Sequence, residues 1–286
     1  MKFYLFVVGA IVCVSVLWAC KSETDEGIDN ETVNYTFEGF TIDVSELGTR
    51  AGEASYSLLA VDVKDGSYVQ SITRISVPMS EALADVTMPL RVGSHKIYIL
   101  CSSQPWYSFD ATSLMVSWDE MTAPLGDTWS AVVDVTVQSG DAQTKSVSLA
   151  RVVSYVRTQI QDALPSSLSK FVMTLVGGSW CFNLAQQSGD VSAQVNRSVT
   201  VPSDRIGNTN VGIGIYAFVP SGVTEASSFT LTALDAAGAT LQSITFENVP
   251  LQVNHSTTYQ GNYFGYDTGF QMSLETEWSA DQVIQF

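Results

Sequence analysis

The side chains best suited to nucleophilic or metal chemistry are few and scattered. The 286 residues hold two histidines, His95 and His255, and four cysteines, Cys13, Cys20, Cys101 and Cys181. His95 follows the turn Arg91-Val92-Gly93-Ser94, and His255 stands in Asn254-His255-Ser256. Either could serve a nucleophilic triad, but no G-x-S-x-G elbow accompanies them, and both read as surface loop histidines. Two histidines and no C-x-x-C leave no metal site to expect. Gly212-x-Gly214-x-x-Ala217 matches a dinucleotide-binding pattern by letter only. Its glycines fall inside the alternating run Val211–Val219, with no helix to present N–H groups to a pyrophosphate. Cys101 and Cys181 could pair outside the cytoplasm, yet both sit in apolar runs (Ile97–Cys101 and Trp180–Phe182) and read as two buried, unpaired thiols. With no paired acid and base in view, the chain is expected to be no enzyme and to hold no cofactor. The net charge of −16 repels phosphate backbones, which excludes nucleic acid as a partner.

The elements that carry these residues read as strands. Ala131–Val137, Val211–Val219, Ser228–Leu234 and Phe270–Thr276 alternate apolar and polar residues, the mark of antiparallel sheets with one wet face. Turn signals separate the runs: Lys64-Asp65-Gly66-Ser67, Ser139-Gly140-Asp141, Ser188-Gly189-Asp190 and Pro220-Ser221-Gly222. The best helix candidate, Tyr155–Leu164, is weakened by β-branched residues and by Pro165. Many short strands without helices between them predict all-β sandwiches. The length suits two domains, with a boundary near 145: a first domain over 35–145 and a second over 146–286. Exposed Trp and Tyr could stack on sugar rings, although six Trp in two sandwiches suit the cores.

The N-terminus gives the chain a location. Lys2 precedes the apolar run Phe3–Ala19, and the chain turns acidic after Cys20. That order describes a secretory signal over 1–19 rather than part of the fold. A Cys in Leu17-Trp18-Ala19-Cys20 resembles the lipobox of bacterial lipoproteins, whose thiol is alkylated with diacylglycerol and whose new N-terminus is acylated, commonly with palmitate. The other reading is an uncut transmembrane anchor, but the run falls just short of the ~20 residues a span needs. Several acyl chains would hold a domain to the outer membrane almost permanently. Residues 20–34, with Glu23, Asp25, Glu26, Asp29 and Glu31, read as an acidic tether. An acidic stretch behind the lipidated Cys also resembles the surface-export signal of Bacteroidota lipoproteins.

Two further stretches carry a family resemblance. Ser146–Val156, containing Leu149-Ala150-Arg151, resembles the "L-x-R" strand that joins the domains of Bacteroidota fimbrillins. Asn248-Val249-Pro250-Leu251-Gln252-Val253-Asn254, continuing through Thr258 and Gly261 to Phe264, resembles the C-terminal part of the same superfamily. The likeness is strongest to its FimB/Mfa2 group of fimbrial anchor and accessory subunits. The resemblance implies two tandem transthyretin-like sandwiches and assembly into a pilus by β-strand addition. It implies other fimbrial subunits as partners, a lipid-anchored outer-membrane or fimbrial location, and adhesion to a host or bacterial surface ligand the sequence does not identify. In such pili an Arg-specific protease removes an N-terminal strand from shaft subunits. Here Arg50-Ala51 would be the processing site and Thr32–Val44 the removable strand. Ser279–Phe286 is a candidate strand to donate. The alternative from another class is a surface glycan-binding lipoprotein of a polysaccharide uptake system.

Overall fold

The structure, a computed structural model, describes residues 31–42, 55–119, 124–190, 193–265 and 269–275. Cys20, Arg50, Ala51 and Ser279–Phe286 lie outside the described residues.

The first half supplies β1 (Thr32–Ile42), β2 (Ser55–Lys64), β3 (Ser67–Pro78), β4 (Val86–Arg91), β5 (Gly93–Ser102), β6 (Ser108–Asp110), β7 (Met115–Ser117), β8 (Thr128–Val137) and β9 (Gln143–Arg151). Seven of them form one sheet in the order β3-β2-β5-β8-β9-β1-β4. The sheet folds over on itself at β9. Gln143 to Leu149 of β9 pair with β1, whereas only Ala150 and Arg151 reach β8. A sandwich results, with Phe37, Leu58, Met88, Ile97, Trp129 and Leu149 among the side chains packed between its layers.

The second half supplies β10 (Val153–Ile160), β11 (Lys170–Gly178), β12 (Cys181–Asn183), β13 (Ser188–Gly189), β14 (Ala193–Thr200), β15 (Val211–Phe218), β16 (Glu225–Leu234), β17 (Thr240–Pro250), β18 (Ser256–Gly261) and β19 (Phe270–Glu275). Its two sheets run β15-β10-β18-β19 and β14-β11-β16-β17. Ile160, Phe171, Phe229, Leu231 and Tyr263 fill the space between them. Of the helix candidate Tyr155–Leu164, Tyr155–Ile160 is strand, as its β-branched side chains favour, and the rest is irregular. Among the described residues, helix is confined to single turns at Met79–Ala82 and Ser203–Arg205.

The two sandwiches share one topology although their sequences show no repeat. Leaving out the strands of the small fourth sheet, the opening strand (β1 or β10) pairs antiparallel with the fourth of its set (β4 or β15) and parallel with the seventh (β9 or β18); the second set adds β19 beyond it. The second strand (β2 or β11) pairs antiparallel with a partner on either side, β3 and β5 or β14 and β16. The parallel pairs depart from the antiparallel pattern that alternation suggests. A parallel neighbour needs a long return path, and here the whole sandwich is that path.

The halves are not beads on a string. β2 is buried on both faces, and its Leu59 and Val61 join Leu100, Trp118, Tyr155, Phe182 and Phe218 in a third apolar cluster between the sandwiches. A small sheet, β13-β12-β7-β6, takes strands from both halves. The strand that spans position 145 belongs to the first sandwich as far as Arg151, and the chain crosses over at Val152.

Candidate strand-exchange site

β1 occupies a slot between β4 and β9. Its buried residues keep the two-residue period through Val33, Tyr35 and Phe37, slip by one, and resume at Phe40 and Ile42. The slip sits at Gly39, whose φ of +59° is open to glycine at little cost. There the parallel register with β9 shifts between Glu38 and Thr41, a bulge that turns Phe40 back to the core. Phe37 is fully buried, and Tyr35 packs against it at 5.2 Å between ring centroids. Burial pushes the Tyr35 phenol up from its ordinary value.

Outside, β1 is wet and lightly held. The Thr36 hydroxyl meets that of Thr87 at 2.9 Å, and the Thr41 hydroxyl meets that of Ser148 at 3.0 Å. The end of the strand is pinned by Glu31, which accepts from the Ser139 hydroxyl at 2.6 Å and the Gly140 N–H at 3.1 Å. Those donors hold its carboxyl below the usual range. Five buried apolar side chains at 1.5–3 kcal/mol each give β1 roughly 8–15 kcal/mol of burial. That equals the whole stability of an ordinary domain. Burial of β1 is therefore a large share of what holds the first sandwich together.

A second constellation joins the sandwiches. Arg151 grips Asp127 with two hydrogen bonds, Nε to Oδ1 at 2.8 Å and Nη2 to Oδ2 at 3.0 Å, and its Nη1 donates to Asn254 Oδ1 at 3.2 Å. The guanidinium lies 5.5 Å from the Trp129 ring centroid. Asn254, at φ +59°, sends its own N–H to the Val153 carbonyl at 2.9 Å. Arg151 and Asn254 come from the two stretches that carry the family resemblance, 103 positions apart, and here they touch. Their chemistry is positional: a buried planar fork fixing one sandwich against a loop of the other.

The remaining candidates fall into the scaffold. His95 is not on a surface loop. It lies on β5 in phase with Ile97, Ile99 and Cys101, and is 4% exposed. Its Nδ1 meets Asp62 Oδ1 at 2.7 Å, and its Nε2 donates to the Arg91 carbonyl at 2.7 Å. That phase is readable in the sequence, since His95 stands two residues before Ile97 in the same alternation. His255 uses Nδ1 on the Val253 carbonyl at 2.8 Å. Gly214 is inside β15, where a Cβ would stand 2.6 Å from the Tyr155 ring and from the Val156 carbonyl. Its smallness serves packing, with no phosphate role. Cys101 and Cys181 are both free, but only Cys101 is buried; Cys181 is half-exposed, 3.3 Å from the Ser117 hydroxyl. Burial pushes the Cys101 thiol up to about 12. Trp118 and Trp129 are core residues, and the most exposed described aromatic is Tyr107 at 66%. Among the described residues no three His, Cys, Asp or Glu side chains gather as a metal would require.

No family model matches this sequence, and no curated protein does. Solved structures do. A cell adhesion protein candidate from Bacteroides eggerthii superposes with a TM-score of 0.51 at 13% identity, covering 88% of this chain and 97% of that one. The fimbrial anchor protein Mfa2 from Porphyromonas gingivalis gives 0.50 at 12% identity, covering 86% and 98%. A candidate polysaccharide-binding protein from Bacteroides thetaiotaomicron gives 0.50 at 12%, covering 86% and 96%. The chain thus shares one all-β fold with these proteins.

Proposed function

We propose that this chain is a cell-surface fimbrial subunit or anchor that assembles with other fimbrial components by β-strand addition and supports adhesion. The observation that carries the reading is β1. It is a mid-sheet strand, apolar on one face only, preceding all other described elements, and it fills a slot whose occupancy decides whether the first sandwich is stable. Strand addition supplies a row of main-chain hydrogen bonds and a set of pockets that read side-chain spacing. The shared fold with an adhesion protein candidate and a fimbrial anchor supports the same reading. Cys20 would hold the chain to the outer membrane, and Arg50-Ala51 would be the point at which β1 is released in a shaft subunit. In an anchor both would stay. We place the boundary between the two domains at Val152.

The experiment is N-terminal sequencing and fractionation of the protein from intact cells, with and without Cys20→Ser. An acylated Cys20 at the outer membrane, lost in the variant, supports an anchor. An N-terminus at Ala51 in sheared fibres supports a shaft subunit. A Cys20→Ser protein that fractionates unchanged, together with fibres lacking the chain, would sink both. The glycan-binding alternative has one observation behind it, a cleft lined by Gly66, Tyr68, Thr112 and Leu114, where Tyr68 lies 6.3 Å from Phe109. Saturable binding of neutral oligosaccharides, abolished by Tyr68→Ala, would favour it.

A further inference from the structure

Sheet edges expose unpaired main-chain groups, and proteins guard them against stray pairing. Nearly every edge here has a visible guard. β4 carries Pro89 mid-strand, and the Gln70 side chain of β3 covers its carbonyl at 2.7 Å. β3 shifts register twice against β2, and its Arg74 is bound to four carbonyls of the segment Glu81–Asp85. The seam between β14 and β15 is stitched by Arg197, which donates to the Gly214 carbonyl at 3.0 Å. β17 shifts register and ends at Pro250. β6 and β13 are three and two residues long. β19 has none of these devices. It pairs with β18 without a register shift, contains no Pro, Gly or Lys, carries a single charge, Glu275, at its very end, and among the described residues lies last in its sheet.

Its side chains point the same way. Phe270, Met272 and Leu274 share one face, the face of buried Tyr259, which pairs with Met272. Phe270 packs against the core, but Met272 is 54% exposed and Leu274 39%. An inward-facing apolar row is thus left exposed beside an edge that no described residue pairs. The row is symmetric about Met272, reading Phe, Met, Leu with Gln271 and Ser273 between. An antiparallel strand of the same sequence, centred on Met272, would set Phe270 against Leu274, Met272 against Met272 and Gln271 against Ser273. Apolar side chains then meet on one face and polar ones on the other.

We propose that β19 is a contact between two copies of this chain, their free edges pairing antiparallel about a twofold axis through Met272 into one continuous sheet. Such an interface is isologous and closes on itself. Two six-residue strands bury little area, which makes the dimer weak in free solution and dependent on concentration. The contact is independent of whether a strand is exchanged at the β1 slot.

The test is disulfide trapping in the full chain, with Cys13, Cys20 and Cys181 changed to Ser, under oxidised glutathione. Directly opposed residues lie within reach of a disulfide, and diagonal ones do not. Met272→Cys should trap as a dimer and Ser273→Cys alone should not. A mixture of Gln271→Cys and Ser273→Cys should trap as the mixed pair. Met272→Lys should give monomer at every concentration in sedimentation equilibrium, while its melting curve stays that of the parent. Failure of Met272→Cys to trap would overturn the proposal. So would trapping at Ser273→Cys alone, a dimer that survives Met272→Lys, or a dimer seen only after residues 276–286 are deleted.

Discussion

The opening strands of the two sandwiches hold the same place in the same topology but are built differently. β1 alternates, with five core residues facing in and Thr32, Asn34 and Thr41 facing water. β10 is buried on both sides: Val156 and Ile160 face its own core, while Val153 and Tyr155 face the other sandwich. β1 precedes everything else described; β10 follows Arg151 by one residue and is clamped there. One fold thus contains an opening strand with one dry face and another that is dry on both. Topology sets which neighbours a strand has; the second face decides whether it can leave.

The largest test of that contrast is deletion. Removing residues 32–42 should unfold the first sandwich, at a cost of roughly 8–15 kcal/mol, while the core around Phe171 and Phe229 keeps its hydrogen-exchange protection. A synthetic Thr32–Ile42 peptide added in trans should restore the lost protection. A peptide spanning β10 should not rescue the matching deletion of 153–160. Rescue of both would erase the distinction.

Arg151→Ala comes next. It leaves Asp127 buried without its fork, at about 3–5 kcal/mol, and should merge into earlier melting of both sandwiches. Thermal melting of Arg151→Ala alone, compared with Arg151→Met/Asp127→Leu, separates a broken pair from a missing one. The double variant should recover most of the loss.

Alkali should distinguish the halves as well. In the first sandwich, burial raises Cys101 from 9.0 to about 12 and Tyr56 from 10.0 to about 12. In the second, burial raises Tyr259 from 10.0 to about 12. Each of these groups is neutral when protonated and ionises more readily unfolded. Its contribution is therefore complete below the ordinary value and is lost as pH climbs toward the raised one. The first sandwich should begin to weaken near pH 9 and the second near pH 10; Cys181, also raised from 9.0 by burial, lies on the small shared sheet and in neither sandwich. Hydrogen exchange followed separately at Ile99 and Leu231 reads the order, and simultaneous loss would contradict it.

Smaller still are two glycines. Gly214→Ala would force a methyl against the Tyr155 ring and the Val156 carbonyl, at about 1–3 kcal/mol. Gly39→Ala meets nothing closer than 3.7 Å and should cost about 1 kcal/mol, the price of a left-handed alanine. Denaturant midpoints of the two variants decide the matter, and equal losses would say that β1 is packed as tightly as β10.

Much of this was legible in the residues. Val33, Tyr35, Phe37, Phe40 and Ile42 announce a strand with one dry face, and the slip at Gly39 is visible as two letters, rather than one, between Phe37 and Phe40. The all-β class followed from alternation alone. The crossover was harder to read, because Gln143–Arg151 and Val153–Ile160 run together with no turn residue between them. A single buried residue, Val152, separates the two strands. The parallel pairing of β1 with β9 left no local trace, since nothing within ten residues of either strand encodes the other. The meeting of Arg151 with Asn254 was hidden for the same reason, although each stood in a stretch already singled out.

The small sheet shared by the halves has a consequence in time. Met115, Val116 and Ser117 pair with Asn183, Phe182 and Cys181, and the Trp118 N–H reaches the Trp180 carbonyl at 3.0 Å. A chain that emerges from its N-terminus can pair β6 with β7 at once, but must hold the other side of β7 unmatched until Asn183 has followed. Pairings so distant in sequence form late. The first sandwich can collapse early around Trp129, yet its Val61 and Leu100 flank stays bare through that interval. Pausing synthesis between residues 120 and 180 should lengthen that exposure, read as longer protease sensitivity of the nascent first sandwich.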